Sequence, residues 1–184
     1  MKNENRIRKG INFLAPIYQR LARFFFLNNI FKSQIYFLPE IKDVSSVLIV
    51  GGGNGELLVE LLKQNSTCHY YYLELSDKMI ASAKKSIEKK FPDQKFFLTF
   101  HCGSENNLPE NIFFDTIITP FVLDFFSGAN LQKMMQQLDA KLSPEGKWLL
   151  ADFNIPTSPN WMNFISKITL RLLYFFFNLF CKLG

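Results

Sequence analysis

Cysteine is scarce in this 184-residue chain: Cys68, Cys102 and Cys181 are odd in number and form no CxxC pair, which argues against a disulfide framework and against a thiolate metal site. A reducing, cytoplasmic setting is expected, and no metal. The basic start MKNENRIRKGINF lacks an uninterrupted apolar stretch and a small-residue cleavage site, so no secretory signal is expected. Acidic residues are missing from positions 160–184, which carry +3, while residues 1–35 carry +6; with a net charge of +5, the body between them is left at −4. That distribution argues against a nucleic-acid groove across the body, and no nucleic-acid partner is expected. It favours an anionic surface, such as phospholipid, touching the two ends peripherally, with simple solvation of those charges as the plain alternative. No internal repeat or low-complexity tract is present.

What the chain does contain is 48% hydrophobic and 20% charged residues, enough for one core, and a single domain over 1–184 is expected. From about residue 45 the periodicity alternates. Ser46–Val50 predicts a buried parallel strand, and Glu56–Lys63 a helix with Leu57, Leu58, Leu61 and Leu62 on one face. Tyr70–Leu75 predicts a second strand, followed by a helix capped by Asp77 and ended near Lys90 by Phe91-Pro92. Lys95–His101 and Phe114–Thr119 read as further strands, Leu131–Leu142 as a helix, and Gly146–Phe153 as a fifth strand after the turn Ser143-Pro144-Glu145-Gly146. Such alternation implies an α/β fold, a doubly wound, mostly parallel sheet flanked by helices. A helical cap over residues 1–40 and a basic-striped apolar helix over 159–183 flank the core at 45–155. On the latter, Asn163, Lys167, Arg171, Tyr174, Asn178 and Lys182 form one polar line; Arg171 near its middle would cost roughly 2.5–3.5 kcal/mol inside a bilayer, so a full span is not expected.

The first strand runs into SVLIVGGGNGELLVELL, with four glycines in five residues. A strand-to-helix turn leaves unpaired amides pointing at one spot, and glycine lets a ligand approach them closely. Dinucleotide enzymes want GxGxxG, but the third position here is Glu56, whose carboxylate would face a diphosphate. The spacing GxGxG, met by Gly51, Gly53 and Gly55, resembles the first motif of the class I S-adenosylmethionine-dependent methyltransferases. Further stretches extend the resemblance: Glu74 at the end of the second strand, Gly103-Ser-Glu-Asn-Asn-Leu-Pro109 after the third, Phe114–Leu123 around the fourth, and Leu142-Ser-Pro-Glu-Gly-Lys-Trp-Leu-Leu150 at the turn into the fifth. Ala15-Pro-Ile-Tyr18 is similar to the first helix of the branch containing quinone-biosynthesis C-methyltransferases.

The resemblance implies a Rossmann-like fold with S-adenosylmethionine as cofactor. It implies Gly51, Gly53 and Gly55 as the cradle, Glu74 as acceptor for both ribose hydroxyls, Ser104 or Glu105 at the adenine amino group, Pro120 on the cofactor side, and Tyr18 closing the site. The chain departs from the family at Ile49 and Ser104, where acidic residues are usual, and it ends before the family's last two strands. An incomplete sheet, a sheet paired with another subunit and a truncated sequence are the alternatives, and an open sheet edge would favour a homo-oligomer. The expected activity is methyl transfer to a small-molecule acceptor, apolar or aromatic. A base, where one is needed, would be Asp124, ranked ahead of Asp152 and His101. Two other readings stand beside it: aminopropyl transfer, because GGGxGE resembles the spermidine-synthase loop, and a non-catalytic adenosyl-binding or membrane-associated module.

Overall fold

In the computed structural model of the protein, residues 8–10, 12, 29–41, 43–126, 128–152 and 171 are described. The architecture grows outward from β1 (Ser46–Val50), whose last four residues are all buried, as a strand covered on both faces requires. On one side of it lie β2 (His69–Glu74) and then β3 (Leu98–Cys102); on the other lie β4 (Phe114–Pro120) and then β5 (Leu142–Ala151). The spatial order is β3-β2-β1-β4-β5, and every pairing is parallel. The chain therefore winds outward from β1 to β3 and crosses back to β4. That reversal places a topological switch point at the carboxyl ends of β1 and β4, where ligands bind in sheets of this kind.

Four helices are described: α1 (Asn29–Ile35), α2 (Glu56–Gln64), α3 (Asp77–Lys90) and α4 (Gly128–Asp139). Leu57, Leu58, Leu61 and Leu62 of α2 and Ile80, Ala83 and Ile87 of α3 pack against Val47, Ile49, Tyr70 and Tyr72 on one face of the sheet. Met134 and Leu138 of α4 cover Leu48, Val50, Phe114 and Ile117 on the other. Ile35, Leu38 and Ile41 join the first cluster, and Lys147 of β5 pairs with Glu40 at 3.4 Å, so the segment around α1 sits beside β5.

The described elements follow the predicted order, with corrections at their ends. The cap of α3 is Ser76, not Asp77: its hydroxyl accepts from the Met79 N–H at 3.1 Å, one residue earlier than expected. Helix α4 begins at Gly128, three residues before the apolar spacing becomes visible, and it stops at Asp139 because Leu142 is already paired with Phe114. Strand β3 starts at Leu98 rather than Lys95. Strand β5 starts at Leu142 rather than Gly146: Leu142 pairs with Phe114 and Lys147 with Thr116, so residues 143–146 bulge out of a strand instead of preceding one. Glu145, at φ 64, turns that bulge. No sixth or seventh strand lies among the described residues, and the expected helix over 159–183 lies outside them except for Arg171, which is helical and exposed. No helix among the described residues is long and apolar enough to cross a membrane.

At the rim opposite the switch point, Asp115 ties β4 to the start of β1. Its Oδ2 accepts from the Ser45 hydroxyl at 2.7 Å and from the Ser45 and Ser46 N–H groups at 3.0 Å each. These bonds hold its carboxyl below the usual carboxylate range, the Ser45 hydroxyl contributing most. A depressed carboxyl stabilises the fold above its unfolded pKa of about 3.9, and that contribution is lost as pH falls through the folded value. Asp115→Asn is therefore expected to cost about 1 kcal/mol at neutral pH, discounted for partial exposure, with the gap to wild type closing at an acid pH below the folded value. Urea denaturation at the two pH values measures this; an equal gap at both would contradict it.

Candidate functional site

Three strand ends converge at the carboxyl rim. The loop after β1 is drawn toward β2, because the Gly51 N–H donates to the Leu73 carbonyl at 2.8 Å. Glu74 closes β2 with only 7% of its surface exposed. One carboxylate oxygen accepts from the Gly53 N–H at 3.1 Å and the other from the Ser76 N–H at 3.1 Å. Burial raises the pKa of this carboxyl, and the N–H groups of Ser76, Gly53 and Leu75 oppose the rise by favouring its ionised form. Each oxygen still has lone pairs for further donors.

The glycines of the loop serve different ends. A β-carbon on Gly52 would stand 2.5–2.7 Å from the Tyr72 ring, whose hydroxyl donates to the Gly53 carbonyl at 2.9 Å. A β-carbon on Gly55 would meet Ala83 at 2.7–2.8 Å, so this glycine sets how closely α2 approaches α3. At Gly53 the φ of +65 favours glycine, yet among the described residues nothing lies within 4 Å of where a β-carbon would be. Packing thus accounts for Gly52 and Gly55, whereas Gly53, beside the Glu74 carboxylate, has no such neighbour among the described residues. Glu56 is engaged locally, accepting from the Asn54 side chain at 3.0 Å.

The remaining predicted residues fall around this centre. The loop after β3 begins beside Glu74, since the Gly103 N–H donates to the Glu74 carbonyl at 3.1 Å. Ser104 and Glu105 enter the short turn Glu105–Asn107; the Ser104 N–H donates to Asn107 Oδ1 at 3.0 Å, and Glu105 accepts from the Asn106 amide at 3.1 Å. Pro120 is buried at the end of β4, and Val122 lies where a β-carbon on Gly51 would come within 2.9 Å of it. Asp124 sits in the turn Leu123–Phe125 on the same rim. His101 does not join them: it lies within β3, its ring stacked toward Tyr71 at 6.3 Å. Tyr18 lies outside the described residues. Among the described residues no group of three or more His, Cys, Asp or Glu side chains could hold a metal ion.

Two participants escaped the sequence reading. Tyr72 anchors the loop through a bond that exists only because β1 and β2 pair with Ile49 opposite Tyr72. Asn12 reaches the start of α3, where its amide donates to Asp77 Oδ1 at 2.5 Å and accepts from the Ser76 hydroxyl. No local pattern announces either contact, because both bridge segments far apart in the chain.

A buried carboxylate with spare lone pairs, next to a loop whose Gly53 has no described neighbour where a β-carbon would be, can accept a vicinal diol and admit a flat nucleoside over the backbone. A family model described as a methyltransferase domain matches residues 48–148, more than half of the chain. No curated protein matches the sequence significantly. Among solved structures, the chain is similar to the plantazolicin methyltransferase BpumL in complex with SAH, at 17% identity and a TM-score of 0.60, covering 91% of this chain and 68% of that one. It is similar to an amino pentose methyltransferase from Micromonospora echinaspora with SAM bound, at 21% identity and a TM-score of 0.55, over 72% of this chain and 54% of that one. A S-adenosylmethionine-dependent methyltransferase from Clostridium acetobutylicum aligns at 18% identity and a TM-score of 0.58, over 76% and 56%. At these identities the likeness concerns the Rossmann-like fold, and the chain spans little more than half of two of the three structures.

Proposed function

Because this chain belongs to the methyltransferase-domain family, we propose that it transfers a methyl group from S-adenosylmethionine to a small acceptor, apolar or aromatic. The observation that carries the reading is the 3.1 Å bond between the Gly53 N–H and Glu74, which brings the bare loop and the carboxylate together at one rim. Glu74 holds the ribose hydroxyls, Gly53 leaves room for the adenosyl group above it, and the turn at Ser104 and Glu105 borders the adenine end. When bound, the cofactor supplies a methyl group already activated by its positively charged sulfur. The protein's task is then to align the acceptor, exclude water and, for an acceptor that must lose a proton, provide a base at Asp124. Quinols are the first acceptors to try, on the resemblance of Ala15-Pro-Ile-Tyr18.

The family match favours methyl over aminopropyl transfer, although the GGGxGE loop resembles both. Incubation with methyl-labelled S-adenosylmethionine and a panel of quinols, phenols and amines is expected to label an aromatic or apolar product. Aminopropyl product from the decarboxylated cofactor and putrescine would replace the reading. Binding of S-adenosylhomocysteine with no labelled product from the panel would instead favour a non-catalytic module.

A further inference from the structure

The edge of the sheet at β5 gathers features that the adenosyl site does not use. Lys32 of α1, with Tyr36 and Phe37 just after that helix, borders one depression together with Leu150 and Ala151 of β5 and Asp152 beyond it. Tyr36, Phe37 and Leu150 are 75%, 45% and 46% exposed, although each is large and apolar, and Lys32 is exposed beside them. The two rings meet edge to face at 5.0 Å. Apolar side chains scattered singly over a surface are ordinary, but three gathered at one edge mark a contact surface. Lys147 and Glu40 on the same edge pair with each other at 3.4 Å, so their charges cancel there.

The sequence joins two basic flanks to this edge. Residues 13–35 hold Arg20, Arg23 and Lys32 without an acid and lead directly into Tyr36. Residues 153–184 hold Lys167, Arg171 and Lys182 without an acid and follow directly after Asp152. Both flanks are also rich in rings, with Phe24-Phe25-Phe26 in the first and Tyr174-Phe175-Phe176-Phe177 in the second, while the body between them is left acidic. Exposed rings set between acid-free basic flanks complement a partner that is anionic at its surface and apolar just beneath, which is the interface of a lipid bilayer. A nucleic acid offers the charge without the apolar layer, and the interior of a second copy offers the apolar layer without the charge.

We propose that the edge formed by Lys32, Tyr36, Phe37 and Leu150 docks on an anionic lipid bilayer, its rings entering the headgroup layer and Lys32 staying with the phosphates. The proposal does not depend on the adenosyl assignment. A test on the full chain measures co-sedimentation with vesicles of phosphatidylcholine alone or with about 30% phosphatidylserine, at about 0.1 M and about 0.5 M salt. Wild type is expected to bind the mixed vesicles only, and less at the higher salt, where screening shortens the reach of the charges. Lys32→Gln is expected to weaken that binding about fivefold, the scale of one cation near such a surface. Tyr36→Ser combined with Phe37→Ser is expected to weaken it at least about tenfold, with a urea midpoint close to wild type because both rings are exposed. No binding to either vesicle, equal binding to both, or binding that is unchanged in the substituted chains would overturn the proposal. Sedimentation velocity without vesicles covers the remaining occupant: a dimer that the double substitution dissociates would assign the edge to a second copy and overturn it as well.

Discussion

Replacing Glu74 by alanine is expected to weaken S-adenosylhomocysteine binding about a hundredfold, because two charge-assisted hydrogen bonds from the ribose hydroxyls are lost, about 3 kcal/mol together. The same substitution removes the acceptors of the Gly53 and Ser76 N–H groups, so circular dichroism must accompany the calorimetry. The cost to the fold is tempered by charge. Burial raises the Glu74 pKa above its unfolded value, so the stability this group contributes is present below the unfolded value and lost as pH rises through the folded one. Where it is ionised, the buried carboxylate is a burden on the apo protein, and its removal offsets part of what the two N–H groups lose. For the ligand the sign is reversed, since the hydroxyls need the ionised form. Affinity in wild type should therefore fall as acid protonates Glu74, and Glu74→Ala should lack that fall.

The second large effect separates two glycines that look alike in the sequence. Gly55→Ala is expected to cost about 3 kcal/mol of stability. A left-handed alanine costs roughly 1–2 kcal/mol, and the new β-carbon would be driven against Ala83 at 2.7–2.8 Å, adding about 1–3 kcal/mol of crowding. Gly53→Ala has only the first of these costs, because at φ +65 its β-carbon would meet no described residue within 4 Å. It should lower stability by roughly 1–2 kcal/mol while reducing S-adenosylhomocysteine affinity at least about tenfold, since the space it fills is the ligand's. Urea denaturation and calorimetry on both variants read the two effects apart. Similar stability losses in both, or an unchanged affinity in Gly53→Ala, would contradict the division of roles.

The sequence made the inner half of the fold readable. Strand β1 and helix α2 announce themselves through an unbroken apolar run followed by leucines at helical spacing, and both signals are local. Glu74 was readable as well, as the one acid closing a strand of aromatics. What depended on a partner strand was not: the bulge in β5 shows only against Phe114 and Thr116, and as a bare string Ser-Pro-Glu-Gly looks like a turn. Ser76 and Asp77 are both good caps, and only the reach of the Ser76 hydroxyl to the Met79 N–H decides between them. His101 looked like a strand terminus, but β3 continues to Cys102 and the ring turns toward Tyr71.

The most direct measurement is a crystal structure of the full chain with S-adenosylhomocysteine bound. The account predicts both ribose hydroxyls on the Glu74 carboxylate, the adenosyl group over Gly53, and the sulfur directed toward the ends of β1 and β4. A nucleoside seated elsewhere on the molecule, or at this rim without contact to Glu74, would contradict it.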